Sequence, residues 1–295
     1  MDRLIEKAAV LMEALPYIQE FRDSIVVVKF GGSVMEDPEK TRGVIRDIVF
    51  MECAGMRPIV VHGGGKAISA KVKEAGIQPR FIQGLRYTDD NTIKIVDDVL
   101  HNQVNANLVE LMREFNGHPL AVSGKDILTA ERKTATDSDT GAALDLGHVG
   151  AVTAVDTEKI RTALDTRCVP IITPLAKGED GTLYNVNADM TACQIAAHLR
   201  ARKLAFLSDV PGILRDAADN TSRISSMHVH DVEQAIADGV IGSGMVPKVR
   251  SAADAVLAGT SKVHMIDGRV QHSLLLEIFT KRGIGTQIIA DTVTN

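Results

Sequence analysis

The sequence predicts an α/β fold with a mainly parallel, doubly wound central sheet. Apolar strand-like runs alternate with helical patterns through most of the 295 residues, which is typical of this class. Only 3% of the residues are aromatic and tryptophan is absent. The core must therefore consist mainly of aliphatic side chains, as expected for parallel strands that are buried on both faces.

The order of the elements can be read along the chain. Apolar runs predict strands at Ile25–Phe30, Ile59–Val61, Ala151–Val155, Val169–Ile172, Leu204–Leu207 and Val263–Ile266. Helical spacing predicts helices at Thr41–Ala54, Ala67–Glu74, Ile93–Phe115, Ala188–Leu199 and Val232–Ala237. Residues 117–150 are rich in Gly, Asp and Thr, and we predict short antiparallel ribbons or loops beside the sheet there.

The first 24 residues stand apart from this alternation. Their apolar residues fall near helical spacing and Pro16 interrupts the hydrogen-bond ladder, which predicts a kinked amphipathic helix. Its apolar stripe needs a cover, either its own domain or another subunit, and the sequence leaves both open. A further boundary is predicted near residue 200, before a fresh strand, so we divide the chain into residues 1–24, 25–200 and 201–295.

Composition argues against several classes of protein. The net charge of −5 leaves no basic stripe for a general affinity for nucleic acid. No run approaches about 18 uninterrupted apolar residues, so no membrane span is expected, and the N-terminus lacks the pattern of a secretory signal. Cys53, Cys168 and Cys193 have no metal-ligand spacing, which favours buried thiols in a reducing cytoplasm. The histidines show no helical metal-binding pair, so we expect no protein-held transition metal.

Two glycine turns follow predicted strands. The first is Lys29-Phe30-Gly31-Gly32-Ser33 and the second is His62-Gly63-Gly64-Gly65. Ligand oxygens can approach the N–H groups of glycine, and the helix after each turn directs further N–H groups and a positive dipole end to the same place. Neither the Walker P-loop spacing nor the dinucleotide fingerprint is present. Two such turns, one of them with a lysine, predict a phosphate site and phosphoryl transfer.

Three further segments carry polar groups suited to such a site. Gly84-Leu85-Arg86-Tyr87-Thr88 offers a guanidinium that could clamp a carboxylate, and Tyr184-Asn185-Val186-Asn187-Ala188-Asp189 opens a helix. Asn187 could equally be a helix cap. Gly244-Met245-Val246-Pro247-Lys248 brings a cation to a helix start, which is unfavourable unless an anion binds there. A carboxylate acceptor would need no base, because it is already ionised at pH 7.

Together these motifs resemble those of the amino acid kinase family over about residues 25–291, including Ser208-Asp209-Val210-Pro211-Gly212. Two of these motifs resemble those of the branch that phosphorylates N-acetyl-L-glutamate. They are Gly84-Leu85-Arg86 and Asn185-Val186-Asn187-Ala188-Asp189. The resemblance implies a three-layer αβα sandwich with two lobes, preceded by the kinked helix. It also implies ATP-dependent formation of an acyl phosphate on the side-chain carboxylate, an early step of arginine biosynthesis.

The resemblance assigns a role to each matching residue. Lys29 and Lys248 would neutralise the transferring phosphoryl group, Asp189 would hold both lysines, and Gly32 and Gly64 would donate N–H groups. The residues that would bind N-acetylglutamate are Gly64, Gly65, Arg86 and Asn185. Those that would bind the nucleotide are Ser208, Asp209, Val210, Gly244 and Met245. Mg²⁺ would be held mainly by the ATP phosphates, with no protein metal site.

The N-terminal helix adds a regulatory expectation. Arginine-inhibited members of the family carry such a helix, and the resemblance implies a homo-oligomer, a hexamer built as a trimer of dimers. It also implies an arginine site at Tyr17, Lys203, Glu277 and Gly283. Control by a nitrogen-signalling protein stays open, because the sequence is silent on such partners.

Two alternatives remain from the sequence. One is a kinase for a related acid, N-acetyl-aminoadipate or aspartate, because one methylene is worth only about 1–3 kcal/mol in a pocket. The other is a non-catalytic amino-acid sensor on the same fold. The presence of Lys29, Asp189 and Lys248 argues against the sensor, which has no need of groups that stabilise a phosphoryl transition state.

Overall fold

The computed structural model describes residues 1–137, 140–216, 218–242, 244–280 and 283–291. The described strands, numbered along the chain, are β1 Ile25–Phe30, β2 Arg57–His62, β3 Phe81–Ile82, β4 Leu85–Arg86, β5 Pro119–Val122, β6 Leu128–Arg132, β7 Ala135–Thr136, β8 Ala143–Leu144, β9 Val149–Val155, β10 Val169–Ile172, β11 Leu175–Lys177, β12 Leu183–Val186, β13 Lys203–Ser208, β14 Ser226–His228, β15 Lys262–Asp267 and β16 Thr286–Ile289.

The described α-helices are α1 Asp2–Phe21, α2 Ser33–Glu36, α3 Pro38–Cys53, α4 Gly65–Glu74, α5 Asp90–Asp98, α6 Ala106–Glu114, α7 Thr157–Asp165, α8 Ala188–Leu199, α9 Val232–Ala237, α10 Val246–Leu257 and α11 Ser273–Ile278. A π-helix, Val99–Asn105, joins α5 to α6. Short 3₁₀ turns lie at Gly124–Asp126, Asn220–Ser222 and Val229–Asp231.

An eight-stranded sheet forms the centre of the fold, in the order β14-β16-β15-β13-β1-β2-β10-β5. Its neighbouring strands are parallel except β15 and β16, which are antiparallel. The strands β11, β12, β9 and β6 close into a small barrel beside it. In the pairing of β1 with β2, Lys29 lies opposite Val61 and Phe30 opposite His62. The two glycine turns therefore leave the sheet side by side.

The core occupies both faces of this sheet. Val27 and Val61 belong to one buried cluster, while Val26, Val28 and Val60 belong to the other. Successive side chains of a strand point to opposite faces, so a strand covered on both sides reads as a continuous apolar run. Helices packed over these two clusters complete an α/β fold with a mainly parallel sheet, which confirms the predicted fold class.

Most predicted elements are present, with three differences. Ala151–Val155 lies within β9, but β9 belongs to the barrel and not to the central sheet. Ile93–Phe115 is not one regular helix, because the π-helix interrupts it. In the region 117–150 the hairpin of β7 with β8 is antiparallel as expected, whereas β5 joins the central sheet parallel to β10.

The N-terminal helix is continuous through Pro16, and among its described side chains those with cover lie between Ala14 and Phe21. Phe21 is buried, but large apolar side chains nearer the N-terminus are exposed, among them Leu4, Ile5, Val10 and Leu11. Within one chain, therefore, the apolar stripe of α1 has little cover. In the described ranges, no helix combines the length and the apolar character needed to cross a membrane.

Candidate active site

Asp189 joins two lysines that lie far apart in the sequence. Its Oδ1 is 2.7 Å from Lys29 Nζ and its Oδ2 is 3.2 Å from Lys248 Nζ. Lys29 lies near the end of β1, Lys248 in the first turn of α10, and Asp189 in the first turn of α8. Two ammonium groups around one carboxylate leave an excess of one positive charge, which suits a site for a polyphosphate.

The start of α8 fixes the backbone that carries Asp189. Asn187 Oδ1 accepts hydrogen bonds from the N–H groups of Asp189 and Met190, at 2.9 and 3.1 Å. The interpretation of Asn187 as a helix cap is therefore confirmed. Burial by itself raises the pKa of Asp189, but the charges of Lys29 and Lys248 outweigh burial and hold that pKa below its ordinary value. Asp189 is thus an anion at neutral pH.

The two glycine turns lie against each other, as predicted. A Cβ atom on Gly31 would lie 3.1 Å from Gly63 Cα, so the two turns approach closely enough that a side chain there would crowd the facing backbone. The N–H of Gly63 donates to the carbonyl of Phe30 at 3.0 Å. Gly32 precedes α2 and Gly64 precedes α4, so both glycines stand at helix N-termini, where N–H groups are available to an anion.

Arg86 is buried close to the second glycine turn. Its Nη2 donates to the carbonyl of Gly65 at 2.8 Å and to Ser69 Oγ at 2.7 Å. Burial lowers the pKa of Arg86, and its buried Nη1 has no hydrogen-bond partner within the described chain. That donor is available to a ligand.

Arg86 and Asn185 meet in one cavity of about 210 Å³ that also reaches Gly64 and Gly65. Asn185 Nδ2 donates to Thr88 Oγ1 at 3.3 Å, and Thr88 Oγ1 donates to the carbonyl of Arg86 at 2.8 Å. The four residues that the resemblance assigns to the acceptor are thus brought together. The cavity offers a guanidinium, an amide and glycine backbone to a small anion.

The five residues assigned to the nucleotide lie at the ends of two neighbouring elements. Ser208 is the last residue of β13 and Asp209 and Val210 follow it, while Gly244 and Met245 precede α10. The two elements meet where Lys248 Nζ lies 5.4 Å from the centre of the Phe206 ring. Ser208 Oγ donates to the Val210 carbonyl at 3.4 Å, and Met245 N–H donates to the Gly242 carbonyl at 2.8 Å.

A second cavity, of about 580 Å³, lies under the C-terminal end of α1 and is lined by all four residues assigned to arginine, Tyr17, Lys203, Glu277 and Gly283. Glu277 Oε1 is 2.6 Å from His264 Nδ1, and both side chains are buried. Burial raises the pKa of Glu277, but its hydrogen bonds, first that from His264, hold the pKa below its ordinary value. Burial lowers the pKa of Lys203 to about 8.

The cysteines and histidines differ in part from expectation. The three cysteines are free, but only Cys193 is buried, while Cys53 is exposed and Cys168 is half-buried. The expectation of buried thiols is therefore wrong for Cys53, which lies in the last turn of an outer helix. His228 is half-buried as the last residue of β14, and His230 is exposed in the 3₁₀ turn that follows.

Sequence reasoning missed two buried residues at the second glycine turn. His62 Nδ1 is 2.8 Å from the Gly63 carbonyl, and His62 Nε2 is 3.1 Å from Asn105 Nδ2. His62 belongs to the second glycine motif, in which the glycines alone predict the phosphate site. Asn105 lies 43 residues away along the chain, and nothing local in the sequence links the two.

Comparison with known proteins agrees with this geometry. The model of the amino acid kinase family matches residues 24–267. An acetylglutamate kinase of Akkermansia muciniphila is 46% identical over 99% of this chain and 98% of its own length. The acetylglutamate kinase of Aquifex aeolicus is 43% identical over 98% of this chain and 99% of its own.

A solved structure extends the likeness to three dimensions. The N-acetylglutamate synthase from Neisseria gonorrhoeae, complexed with coenzyme A and N-acetyl-glutamate, has a TM-score of 0.83 at 25% identity. The match covers 97% of this chain and 64% of that longer protein. By sequence and by fold, the chain belongs to the amino acid kinase family, and within it to the acetylglutamate kinases.

Proposed function

We propose that the protein transfers the γ-phosphoryl group of ATP to the side-chain carboxylate of N-acetyl-L-glutamate. The observation that carries the proposal is the placement of Lys29 and Lys248 on either side of Asp189, beside two apposed glycine turns. In arginine biosynthesis such a reaction would supply the acid in an activated form. The names of the relatives and the family match support this acceptor.

The reaction needs positioning and charge neutralisation more than it needs a base. A carboxylate oxygen of the acceptor attacks the γ-phosphorus, the bond to the bridging oxygen breaks, and ADP leaves with the electron pair. Lys29, Lys248 and the N–H groups of Gly32 and Gly64 would stabilise the charge on the transferring group. Asp189, ionised and paired with both lysines, would orient them.

The magnesium ion would be bound mainly by ATP. Both oxygens of Asp189 face lysine ammonium groups, so this carboxylate is not arranged as a metal ligand. Mg²⁺ on the phosphates would neutralise part of their charge during transfer. A carboxylate that is already paired with two lysines fits a site in which the metal arrives bound to the nucleotide.

The acceptor would lie in the cavity that contains Arg86 and Asn185. The unpartnered Nη1 of Arg86 supports an ion pair with a substrate carboxylate, and Gly64 and Gly65 would line the approach to the phosphoryl group. The nucleotide would bind Ser208, Asp209, Val210, Gly244 and Met245. In this proposal residues 25–200 form the acceptor lobe and residues 201–295 the nucleotide lobe, and the protein acts in the cytoplasm.

Trapping with hydroxylamine tests the proposal directly. Incubation with MgATP and N-acetylglutamate should yield a hydroxamate, because hydroxylamine attacks an acyl phosphate. Glutamate, N-acetyl-aminoadipate and aspartate serve as parallel acceptors. Product from one of the other acids alone would replace the acceptor, and the absence of product from every acid would favour the sensor.

We further propose that arginine binds in the cavity under α1 and inhibits the enzyme. The proposal is supported by the lining of that cavity, which contains both the carboxylate of Glu277 and the ammonium group of Lys203, as an amino acid with a cationic side chain requires. The exposed apolar residues of α1 support pairing with a second copy of the chain. The assembly proposed is a hexamer, a trimer of dimers joined by these helices.

Deletion of residues 1–24 should abolish inhibition by arginine and reduce the hexamer to dimers, while kcat stays within about twofold. The reason is that Tyr17 lines the arginine cavity, whereas the phosphoryl-transfer residues lie outside the deleted segment. Light scattering and arginine titrations of the full and shortened chains measure both effects. A shortened chain that remains hexameric and inhibited would contradict the proposal.

Inhibition by arginine should weaken as the pH rises from about 7 to about 9. Burial lowers the pKa of Lys203 to about 8, so the free site loses its ammonium group in this range and with it the partner for the arginine carboxylate. Arginine inhibition curves at several pH values measure the effect. Lys203→Met is the control, since it should bind arginine weakly with little dependence on pH in this range. Equal inhibition of the unaltered protein at pH 7 and 9 would rule out this role for Lys203.

A further inference from the structure

His62, the last residue of β2, is completely buried beside the second glycine turn. Both of its ring nitrogens have partners: Nδ1 lies 2.8 Å from the Gly63 carbonyl oxygen, and Nε2 lies 3.1 Å from Asn105 Nδ2. A buried ring with both nitrogens engaged has a fixed orientation. His62 therefore connects the second glycine turn to a distant helix.

The partners of Asn105 determine which nitrogen of His62 carries the proton. Asn105 Nδ2 also donates to the Ile171 carbonyl at 2.8 Å. A carbonyl oxygen can only accept, so the Asn105 atom bonded to it is the amide nitrogen. The other N–H of that nitrogen can only donate, so His62 Nε2 must be its acceptor. The proton then stands on Nδ1, which donates to the Gly63 carbonyl. Burial lowers the pKa of His62 to about 4, so the ring is neutral at pH 7.

The π-helix contacts the same turn at a second point. Asn105 is its last residue and Leu100 its second. A Cβ atom on Gly64 would lie 2.6 Å from Leu100 Cδ2, so Leu100 packs directly on the glycine backbone. Single π-turns inside longer helices occur often at functional sites. Here the widened turn presents both Leu100 and Asn105 to the glycine turn.

We propose that His62 and Asn105 are positioning residues that aim the N–H group of Gly64 at the transferring phosphoryl group. The carbonyl of Gly63 and the N–H of Gly64 belong to one planar trans peptide unit and point in opposite directions. A hydrogen bond that fixes the carbonyl therefore fixes the direction of the N–H group. The proposal rests on the phosphoryl transfer proposed above and identifies what orients one of its donors.

Two substitutions of His62 separate positioning from simple filling of the core. His62→Asn keeps a side-chain donor near the position of Nδ1, while His62→Gln keeps a polar group near Nε2 and loses the donor to Gly63. We expect kcat to fall by about 10- to 100-fold in His62→Gln and clearly less in His62→Asn. The KM values for MgATP and acceptor should change little in either variant.

Asn105→Ala should lower kcat by a similar factor, because the Nε2 of His62 and the Ile171 carbonyl both lose their donor. The matched control is Asn102→Ala, which removes an exposed asparagine from the same π-helix whose amide bonds only to Asp98, at 2.9 Å. This control should keep the kcat of the unaltered protein. Melting temperatures of all variants identify any loss that comes from unfolding.

A measurement independent of activity tests the assigned proton. Nitrogen-15 NMR of the unaltered protein should show His62 neutral, with the proton on Nδ1, down to about pH 5. A protonated ring or a proton on Nε2 would overturn the proposal. So would equal kcat values for the unaltered protein and a folded His62→Gln variant. If the unaltered protein itself makes no acyl phosphate, the proposed function has failed, and that result does not depend on the variants.

Discussion

Replacing Lys29 or Lys248 with alanine should lower kcat by about 10²- to 10³-fold, the loss expected when one preorganised charge is removed from a transition state. KM for N-acetylglutamate should change little, because that acceptor is assigned to Arg86 and Asn185. The two ammonium groups lie 2.7 and 3.2 Å from the same carboxylate. Each alanine variant would retain one cation at the site. Steady-state kinetics with both substrates varied gives kcat and KM separately.

The matched control for these variants is Lys159→Ala. Lys159 also forms an ion pair with an aspartate, Asp156, at 3.2 Å, but it lies on the exposed surface of α7. Its removal should leave kcat unchanged. Near-normal turnover in either Lys29→Ala or Lys248→Ala would show that the excess positive charge around Asp189 has no part in the transfer.

Replacing Asp189 with asparagine should reduce kcat by a comparable factor, although Asp189 contacts the lysines and not the substrate in this proposal. Without the carboxylate, the two ammonium groups repel each other and lose their common anchor. The effects should also be non-additive: Lys29→Ala added to Asp189→Asn should cost much less than the product of the single losses, since the residues act as a unit. Fully multiplicative losses would contradict a shared role.

A second measurement distinguishes an orienting carboxylate from a general base. The pKa of Asp189 lies below its ordinary value, so log kcat should show no rising limb from this group between about pH 5 and 8. Asp47→Asn is a useful control, because Asp47 is a buried carboxylate that is paired with His272 at 2.6 Å and is not assigned to this site. That variant should lose stability and keep its kcat.

The central sheet and the glycine turns could be predicted because their signals are local. Apolar runs such as Ile25–Phe30 reflect strands buried on both faces, and a glycine turn after such a run marks the strand end. The ladder between β1 and β2 then places the two turns side by side. The edge strands β14 and β5 gave no comparable signal, because β14 has a single apolar side chain, Met227, between Ser226 and His228, and β5 begins with Pro119, which is typical of a turn or an edge strand.

The assembly of the site depends on contacts that no local pattern encodes. Asp189 is separated by about 160 residues of chain from Lys29, and its partnership with both lysines was implied by the family resemblance alone. The π-helix could not be distinguished from a regular helix, since a segment of seven residues is too short for its longer turn to show as a separate period. The exposure of Cys53 likewise follows from where α3 packs, which the sequence near Cys53 does not specify.

The strand β13 has a consequence for how this protein can change over evolution. It begins at Lys203, in the cavity under α1, and ends at Ser208, in the set assigned to the nucleotide. Six residues of extended chain span about 17 Å, hydrogen-bonded on both sides by β1 and β15. Insertion or loss of one residue would turn every following side chain to the opposite face of the sheet. We therefore expect the loops at either end of β13 to tolerate changes in length, and the six-residue strand between the cavity under α1 and the residues assigned to the nucleotide to keep its length.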